Sequence, residues 1–525
     1  MPFDVIIVGC GPVGAVAANL LGRKGLDVLV IEQELEPHPL PRAVHLDHEA
    51  MRLLQAAGVV DRAAPDMREA EGHLHVGADH GVIRYMGTAG RPKPFGWAND
   101  YFFYQPEFED HLRDALEAHP NVDLRFGATF EALVQDDDGV TVSVTTAEGP
   151  QSFRASWVIA CDGARSAVRK QIGVVLEDLD FDEPWLVVDV EADGPVQFPD
   201  LVDVPEHANL QRLSVMMCDP RRPTTVVPGR GDHRRWEFML LPGEDDQAMM
   251  APAVVAGLLD PYLSGVPHRI VRAATYRFHG LIAQRWQAGR VFLAGDAAHQ
   301  TPPFFGQGMC HGLRDVANLA WKLELVERRG APAALMATYQ PERDGHVRQV
   351  ISAAIEAGRY ICMLDPVSAA GRDRQMRAQM GAAQTAADLI PPIREGVVAA
   401  GAPGAGERFI QPLVQTPTGP ALLDELGDGW RLFAVDGVTA DQMRSRARGV
   451  GHNFAIQVVA ADALQDGGAV AAWLQARGAA GALVRPDFYV FGGAADPGGL
   501  ERLIDDLVEQ LYGDKAQKAE NVACA

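Results

Sequence analysis

The first 32 residues constrain the fold more than any other stretch. Asp4–Val8 (DVIIV) is a short continuous apolar run, the pattern of a strand buried on both faces of a parallel sheet. Gly9-Cys10-Gly11-Pro12-Val13-Gly14 follows, then an Ala/Leu-rich helical stretch to Arg23, a stop at Gly25, and a second apolar strand, Val28 to Ile31, closed by Glu32. This is a βαβ unit, and its right-handed crossover sets the two strands side by side in one sheet. Gly9 permits a tight turn, Gly11 lets a pyrophosphate approach the backbone, and Gly14 allows the helix to pack closely on the strand. Amides at the helix N-terminus then face the phosphates, and Glu32 stands where a carboxylate accepts hydrogen bonds from a ribose. A glycine triplet alone is a weak signal. With the strand before it, the helix after it and the terminal acid all present, it predicts dinucleotide binding.

The rest of the composition narrows the class. The chain has 525 residues, which at roughly 150 per domain predicts three or four domains. Its 47 basic and 70 acidic residues leave a net charge of −23, a poor match for nucleic acid or an anionic membrane surface. No run approaches the ~18 apolar residues of a membrane span, and no basic segment precedes an apolar one at the start, so a cytoplasmic protein beginning at Met1 is expected. The six cysteines (Cys10, Cys161, Cys218, Cys310, Cys362 and Cys524) form no Cys-x-x-Cys pair, which excludes a disulfide framework, a zinc site and a dithiol reductase. His73, His75 and His80 cluster in sequence without a further ligand at metal spacing, and are read as polar side chains at the protein surface, holding no metal.

Further along, Pro106–His119 reads as a helix, Val122–Phe126, Val140–Thr145 and Trp157–Ala160 as strands, and residues 180–280 as a mostly antiparallel sheet. Two more motifs follow buried strands. Cys161-Asp162-Gly163-Ala164-Arg165-Ser166 comes directly after Trp157–Ala160, and Gly295-Asp296-Ala297-Ala298-His299 after Val291–Ala294, with Pro302-Pro303 and Gly306-Gln307-Gly308 next. An aspartate at the carboxyl end of a parallel strand points into the ligand crevice. Amides freed by the glycine pair, at the start of the helix that comes next, favour negative charge on a bound ring.

These three motifs, in this order, resemble the class A flavoprotein monooxygenases, the para-hydroxybenzoate hydroxylase-like group, over residues 1 to about 350. Within it the chain is similar to the 3-(3-hydroxyphenyl)propionate hydroxylases, through Pro41-Arg42-Ala43 with Asp47 and Glu49, Cys218-Asp219-Pro220, Arg235-Trp236-Glu237-Phe238-Met239 and Arg314-Asp315. The resemblance implies FAD held by Gly9, Gly11, Pro12, Val13, Gly14 and Glu32 at its ADP half, with Arg42, Gln105 and Asp162 also touching the cofactor. It places Gly295 and Asp296 at the ribityl chain, and Pro302, Gly306, Gly308, Met309 and Cys310 beside the flavin ring. Two departures stand out: Cys310 replaces an asparagine common in the group, and Leu281 stands where relatives often carry a basic residue.

The implied fold is α/β. A Rossmann-like FAD-binding domain takes residues 1–72, 101–178 and 281–395, and an antiparallel-sheet substrate domain takes 73–100 and 179–280. A Gly/Ala/Pro linker at 396–408 leads to a thioredoxin-like domain at 409–512, and 513–525 form a tail. That last domain holds no cysteine, so packing or support of a homodimer is its expected role. The implied activity is hydroxylation of a phenolic ring ortho to its hydroxyl, using NADH or NADPH and O2 through a flavin C4a-hydroperoxide. Gly404-Ala405-Gly406 and Gly449-Val450-Gly451 lack the third glycine, so the nicotinamide has no fingerprint of its own and acts as a transient reductant. A polyketide-tailoring hydroxylase or Baeyer–Villiger enzyme, and a non-catalytic flavoprotein that sequesters an aromatic ligand, are the alternatives. Phenol reactivity calls for a proton acceptor, and the sequence assigns none.

Overall fold

A computed structural model of the chain describes residues 2–380, 390–449 and 454–513. Cys524, the tail beyond Gly513, and Val450 and Gly451 lie outside the described residues.

Strand Phe3–Val8 sits between two parallel neighbours, Val28–Glu32 and Gly149–Ala160, and the latter pairs in parallel with Val291–Leu293. Their apolar side chains explain the arrangement: Val5, Ile6, Ile7, Val28, Leu29, Val158 and Phe292 are all fully buried, as strands covered on both faces require. The register aligns their carboxyl ends. Val8 lies opposite both Ile31 and Ala160, and Ala160 lies opposite Leu293, so the strands end together. The chain therefore leaves the sheet on one edge at Gly9, Glu32, Cys161 and Ala294. Three motifs scattered over nearly 300 residues of sequence converge there.

A second, eight-stranded sheet runs from His299–Gln300 through His268–Ala283, Leu176–Ala192, His233–Met239, Thr224–Pro228, Ser214–Met217 and Gly72–Val76 to Val82–Gly87. It is antiparallel except where Ser214–Met217 runs parallel to Gly72–Val76. Side chains alternate between its faces. Leu74, Val215, Val226, Trp236 and Val188 point one way, into a core shared with Val255 and Leu259 of helix Pro252–Leu263. The intervening residues point toward the first sheet and are also covered. His73 and His75 are consequently buried, which corrects the expectation that they lie at the surface. Alternation reveals a strand's two faces, but it cannot tell that both are covered.

The last unit is built on strand Trp430–Ala434, flanked by parallel Ile456–Ala460 and antiparallel Gly481–Val484, with Val490–Ala494 outermost. Helices Gly437–Gly449, Ala469–Gln475 and Pro497–Tyr512 accompany it. Its core is continuous with the rest of the molecule, since Trp321 and Leu325 of the long helix Gly308–Arg329 pack with Leu432, Phe491 and Leu507. The 396–408 connection is fixed rather than a loose spacer: the Ala399 and Gly406 amides donate to the Phe491 and Val490 carbonyls, each at 2.8 Å.

Candidate dinucleotide and substrate site

The shared strand edge opens into one cavity of about 1200 Å³ that reaches across to the second sheet. That exceeds the roughly 300–1,000 Å³ that accommodates a single drug-sized ligand. At its first end the glycines divide their work. Gly9 has φ +98°, and a Cβ there would lie 2.5 Å from the Cys161 carbonyl oxygen. A Cβ on Gly14 would fall on the Gly9 carbonyl, whereas one on Gly11 would meet nothing within 4 Å and project into the cavity. Glu32 closes the loop from the neighbouring strand, its two carboxylate oxygens accepting from the Cys10 amide at 2.7 Å and the Glu34 amide at 2.9 Å.

Gln105 braces the opposite wall. Its Oε1 accepts from the Arg42 and Ala43 amides at 2.8 and 2.7 Å, and its Nε2 donates to Glu109 at 2.6 Å, which leaves the Arg42 side chain free to face the cavity. Asp162 accepts from the Val168 amide through one oxygen, while its buried Oδ1 has no partner among the described residues, and burial raises its carboxyl above the usual range. Asp296 shows open surface, but that surface faces the cavity. The enclosing protein raises its carboxyl despite the pull of His299 and Arg42. Beneath it, Asp315 is an anchor: it accepts from the Gly295 amide at 3.1 Å, bonds His299 Nε2 at 2.6 Å and pairs with Arg343 at 2.9 Å.

The Gly306 turn and the N-terminus of helix Gly308–Arg329 form the middle of the cavity wall. Gly306 has φ +62°, and a Cβ there would lie 2.5 Å from His45 Nδ1. His45 fixes that turn, its Nδ1 3.2 Å from the Gly306 carbonyl and its Nε2 2.8 Å from Asp100. Burial opposes a charged His45, but Asp100 and Cys310 together outweigh it and raise the imidazole well above its ordinary value. Arg314, one helical stretch further on, pairs with Asp47 and with Glu49 and donates to Gln307 at 3.2 Å, so the start of the helix is held by a fully buried ion network. Tyr489 of the last unit donates to Glu49 at 2.6 Å.

Gly9, Gly11, Pro12, Val13, Glu32, Arg42, Gln105, Asp162, Asp296, Gly306, Gly308 and Met309 all line this cavity. Gly14, Gly295, Pro302 and Cys310 lie behind its wall, and Leu281 also stands off it, on a strand opposite Gln300.

The far end is the inner face of the second sheet, whose ladder sets two rows of side chains facing the first domain. One row runs from His73 through Ser214 and Val227 to Arg235, Asp189 and Arg272, and the next from His75 through Met216 and Thr225 to Glu237. Ion pairs satisfy the first row: Arg235 Nε meets Asp189 at 2.8 Å and Arg272 meets it at 3.0 Å, while Arg235 also donates to the Arg42 and Pro41 carbonyls. Burial pushes His73 down to about 4, so this imidazole is neutral. Phe304 supplies an apolar wall, held edge-on against Trp185.

Sequence reasoning missed His45 and Asp100, and gave His73 and Glu237 no role at the site. The available signal was the strand Arg235-Trp236-Glu237-Phe238, in which charges alternate with aromatics and so line a second buried face.

The residues of the first end fit FAD. Gly11 leaves room for a pyrophosphate, the orphaned Asp162 oxygen awaits a donor, and the open Gly308 Cα presents helix-terminal amides to the cavity. Comparison with known proteins agrees. Residues 2–354 match the profile of the FAD binding domain, and 406–510 match that of the HcaD C-terminal domain. The chain is 36% identical to a probable NADH-specific resorcinol 4-hydroxylase of Rhodococcus jostii, covering 96% of this chain and 94% of that one. It is 37% identical to a 3-(3-hydroxy-phenyl)propionate/3-hydroxycinnamic acid hydroxylase of Burkholderia vietnamiensis, over 84% of this chain and 80% of the relative. Among solved structures, the flavin-dependent monooxygenase PieE superposes with a TM-score of 0.81 at 22% identity, covering 98% and 99% of the two chains. Aklavinone-11 hydroxylase superposes at 0.77 with 25% identity, covering 97% and 99%.

Proposed function

The chain belongs to the FAD binding domain family, and from that premise we propose that it is an FAD-dependent monooxygenase that uses NADH and O2 to hydroxylate a small phenol ortho to its hydroxyl. The observation that carries the reading is the continuity of the cavity, which joins a complete dinucleotide cradle to a buried, partly polar sheet face with no wall between them. Bound there, FAD supplies hydride acceptance and transfer of one oxygen atom from O2. The chain supplies the rest. Gly9, Gly11, Glu32 and Arg42 hold the ADP half, Asp162 and Asp296 the linking chain, and the amides at Gly308 and Met309 stabilise negative charge on the ring. Phe304, Met216 and the second sheet cover the reacting ring and exclude water, which favours oxygen transfer over loss as hydrogen peroxide.

Curated relatives at 36–37% identity are named for resorcinol and 3-(3-hydroxy-phenyl)propionate, whereas aklavinone belongs to a neighbour at 25%, which favours the smaller phenol. We further assign residues 73–100 and 179–280 to substrate enclosure. The last unit is assigned a thioredoxin-like fold, because its sheet runs in the order Ile456–Ala460, Trp430–Ala434, Gly481–Val484, Val490–Ala494, a parallel pair followed by an antiparallel hairpin. With no cysteine between Phe409 and Leu511, its role is packing rather than redox exchange.

The test is NADH consumption by the purified yellow protein with a panel of phenols, with products weighed by mass spectrometry. Substrate-stimulated consumption and a gain of one oxygen on an intact ring are expected. Equal consumption with and without every phenol, and no oxygenated product, would overturn the assignment.

A further inference from the structure

The hydroxylase reading leaves one chemical role unfilled. A phenol donates ring electrons best as its phenolate, yet its own pKa is near ~10, so a proton acceptor must touch its hydroxyl. The inner face of the second sheet carries one side chain built for that task. Glu237 is buried, lines the cavity, and makes no hydrogen bond or ion pair among the described residues. Buried carboxylates are ordinarily paired, because an unpaired one is costly. The cations that would pair with it are engaged elsewhere: Arg235, two residues along the same strand, and Arg272, two strands away, both close on Asp189. Directly opposite Glu237 in the ladder stands Thr225, which also lines the cavity and whose buried Oγ1 likewise has no partner. Two neighbouring polar groups left open toward one cavity mark the seat of a ligand hydroxyl.

We propose that Glu237 accepts the phenolic proton of the substrate, with Thr225 Oγ1 completing the seat of the ring oxygen. The proposal rests on the hydroxylase reading. In the step, the substrate O–H bond breaks, a carboxyl O–H bond forms on Glu237, and the electron pair stays on the ring oxygen. After oxygen insertion the ring ketone takes that proton back as it rearomatises. The hydrogen displaced from the ring carbon ends in the water that carries the second oxygen atom, so Glu237 finishes the cycle as it began. Burial raises Glu237 to about 7, with Asp189 pushing the same way and Arg235 and Arg272 opposing. That brings it within about 3 of the phenol, where an ordinary glutamate lies about 6 below. His73, on the adjacent row and neutral down to about 4, is the weaker base.

The experiment compares holoenzyme of the wild type, Glu237→Gln and Glu237→Asp, with FAD content measured alongside. Resorcinol binding is followed by flavin fluorescence from pH 5 to 8, and product formed per NADH consumed is measured at each pH. In the wild type the Kd should weaken up to tenfold per pH unit below about 7, where protonation removes the acceptor. The Gln variant should bind with a flat profile and form at least tenfold less product per NADH, and Asp should restore part of the pH dependence. A Gln variant that keeps the wild-type Kd profile and product ratio overturns the assignment. If Gln flattens the binding profile while no phenol yields an oxygenated product in the wild type, the reaction reading falls and the proton seat stands.

Discussion

Gly11, at the N-cap of helix Pro12–Arg23, and Gly14, in its first turn, lie three residues apart and fail in opposite ways when changed. A methyl on Gly14 collides with the Gly9 carbonyl, so Gly14→Ala must displace the helix from its strand. A methyl on Gly11 meets no protein atom within 4 Å and intrudes only on what the cavity holds. Gly11→Ala should therefore leave the urea midpoint of the apoprotein unchanged while weakening FAD binding at least tenfold, whereas Gly14→Ala should lower the midpoint itself. Equal effects on both quantities would mean the two glycines share one role. Glu237 gives a second residue-level expectation, set by pH. Its folded value of about 7 exceeds its ordinary 4.5, so its contribution to stability is fully present below 4.5 and is lost as pH rises through 7. The difference is worth roughly 3 kcal/mol. Glu237→Gln should match the wild type in urea stability near pH 4 and exceed it by up to that amount at pH 8, a readout independent of turnover.

At the scale of elements, what was legible in the sequence came from local periodicity. The strand–loop–helix at Asp4–Arg23 and the aspartates after Trp157–Ala160 and Val291–Ala294 are contiguous signals, and the parallel register brings them to one edge. The sheet face bearing His73, Thr225 and Glu237 was not legible, because its rows join side chains from strands as far apart as 73 and 237 in sequence. Asp100 on His45 and Tyr489 on Glu49 are equally long-range contacts, and no spacing rule announces them. The second of these links two elements that share no sequence neighbourhood. Burial pushes Glu49 upward, but Arg314 and Arg408, with the Tyr489 hydroxyl, hold its carboxyl below the usual range. Losing a hydrogen bond to a charged group costs about 1.5–3 kcal/mol. Tyr489→Phe should lower unfolding stability by that amount. It should also loosen FAD, since Glu49 and Arg314 hold Gln307 at the start of the flavin-facing helix. A destabilised variant with wild-type FAD affinity would confine Tyr489 to a packing role.

Over the whole molecule, the last unit is bound in by more than a connection. Helix Gly308–Arg329 turns its first residues to the cavity and its middle to that unit, where Trp321 packs edge-on against Trp430 at 5.5 Å. Below the tryptophans lies a fully buried charge cluster. Glu342 takes Lys322 at 3.0 Å and Arg485 at 2.6 Å, and Arg485 also takes Asp487 at 2.6 Å. Burial lowers Lys322 to about 8 although Glu342 supports its charge, and the same two cations overcome burial to hold Glu342 near 2. Removing one partner from such a cluster costs about 3–5 kcal/mol, and exposing a large apolar side chain adds about 1.5–3 kcal/mol. Together these losses rival the roughly 5–15 kcal/mol that keeps a domain folded. A chain ended at residue 405 should therefore aggregate or purify without flavin, although it retains the residues assigned to the cofactor. Arg485→Met in the full chain, which breaks the cluster but keeps the apolar cover, should stay folded with a urea stability about 3–5 kcal/mol lower. A truncated chain that is soluble, yellow and active with phenol would show instead that the cluster seals an accessory unit, and that the cavity holds its shape without it.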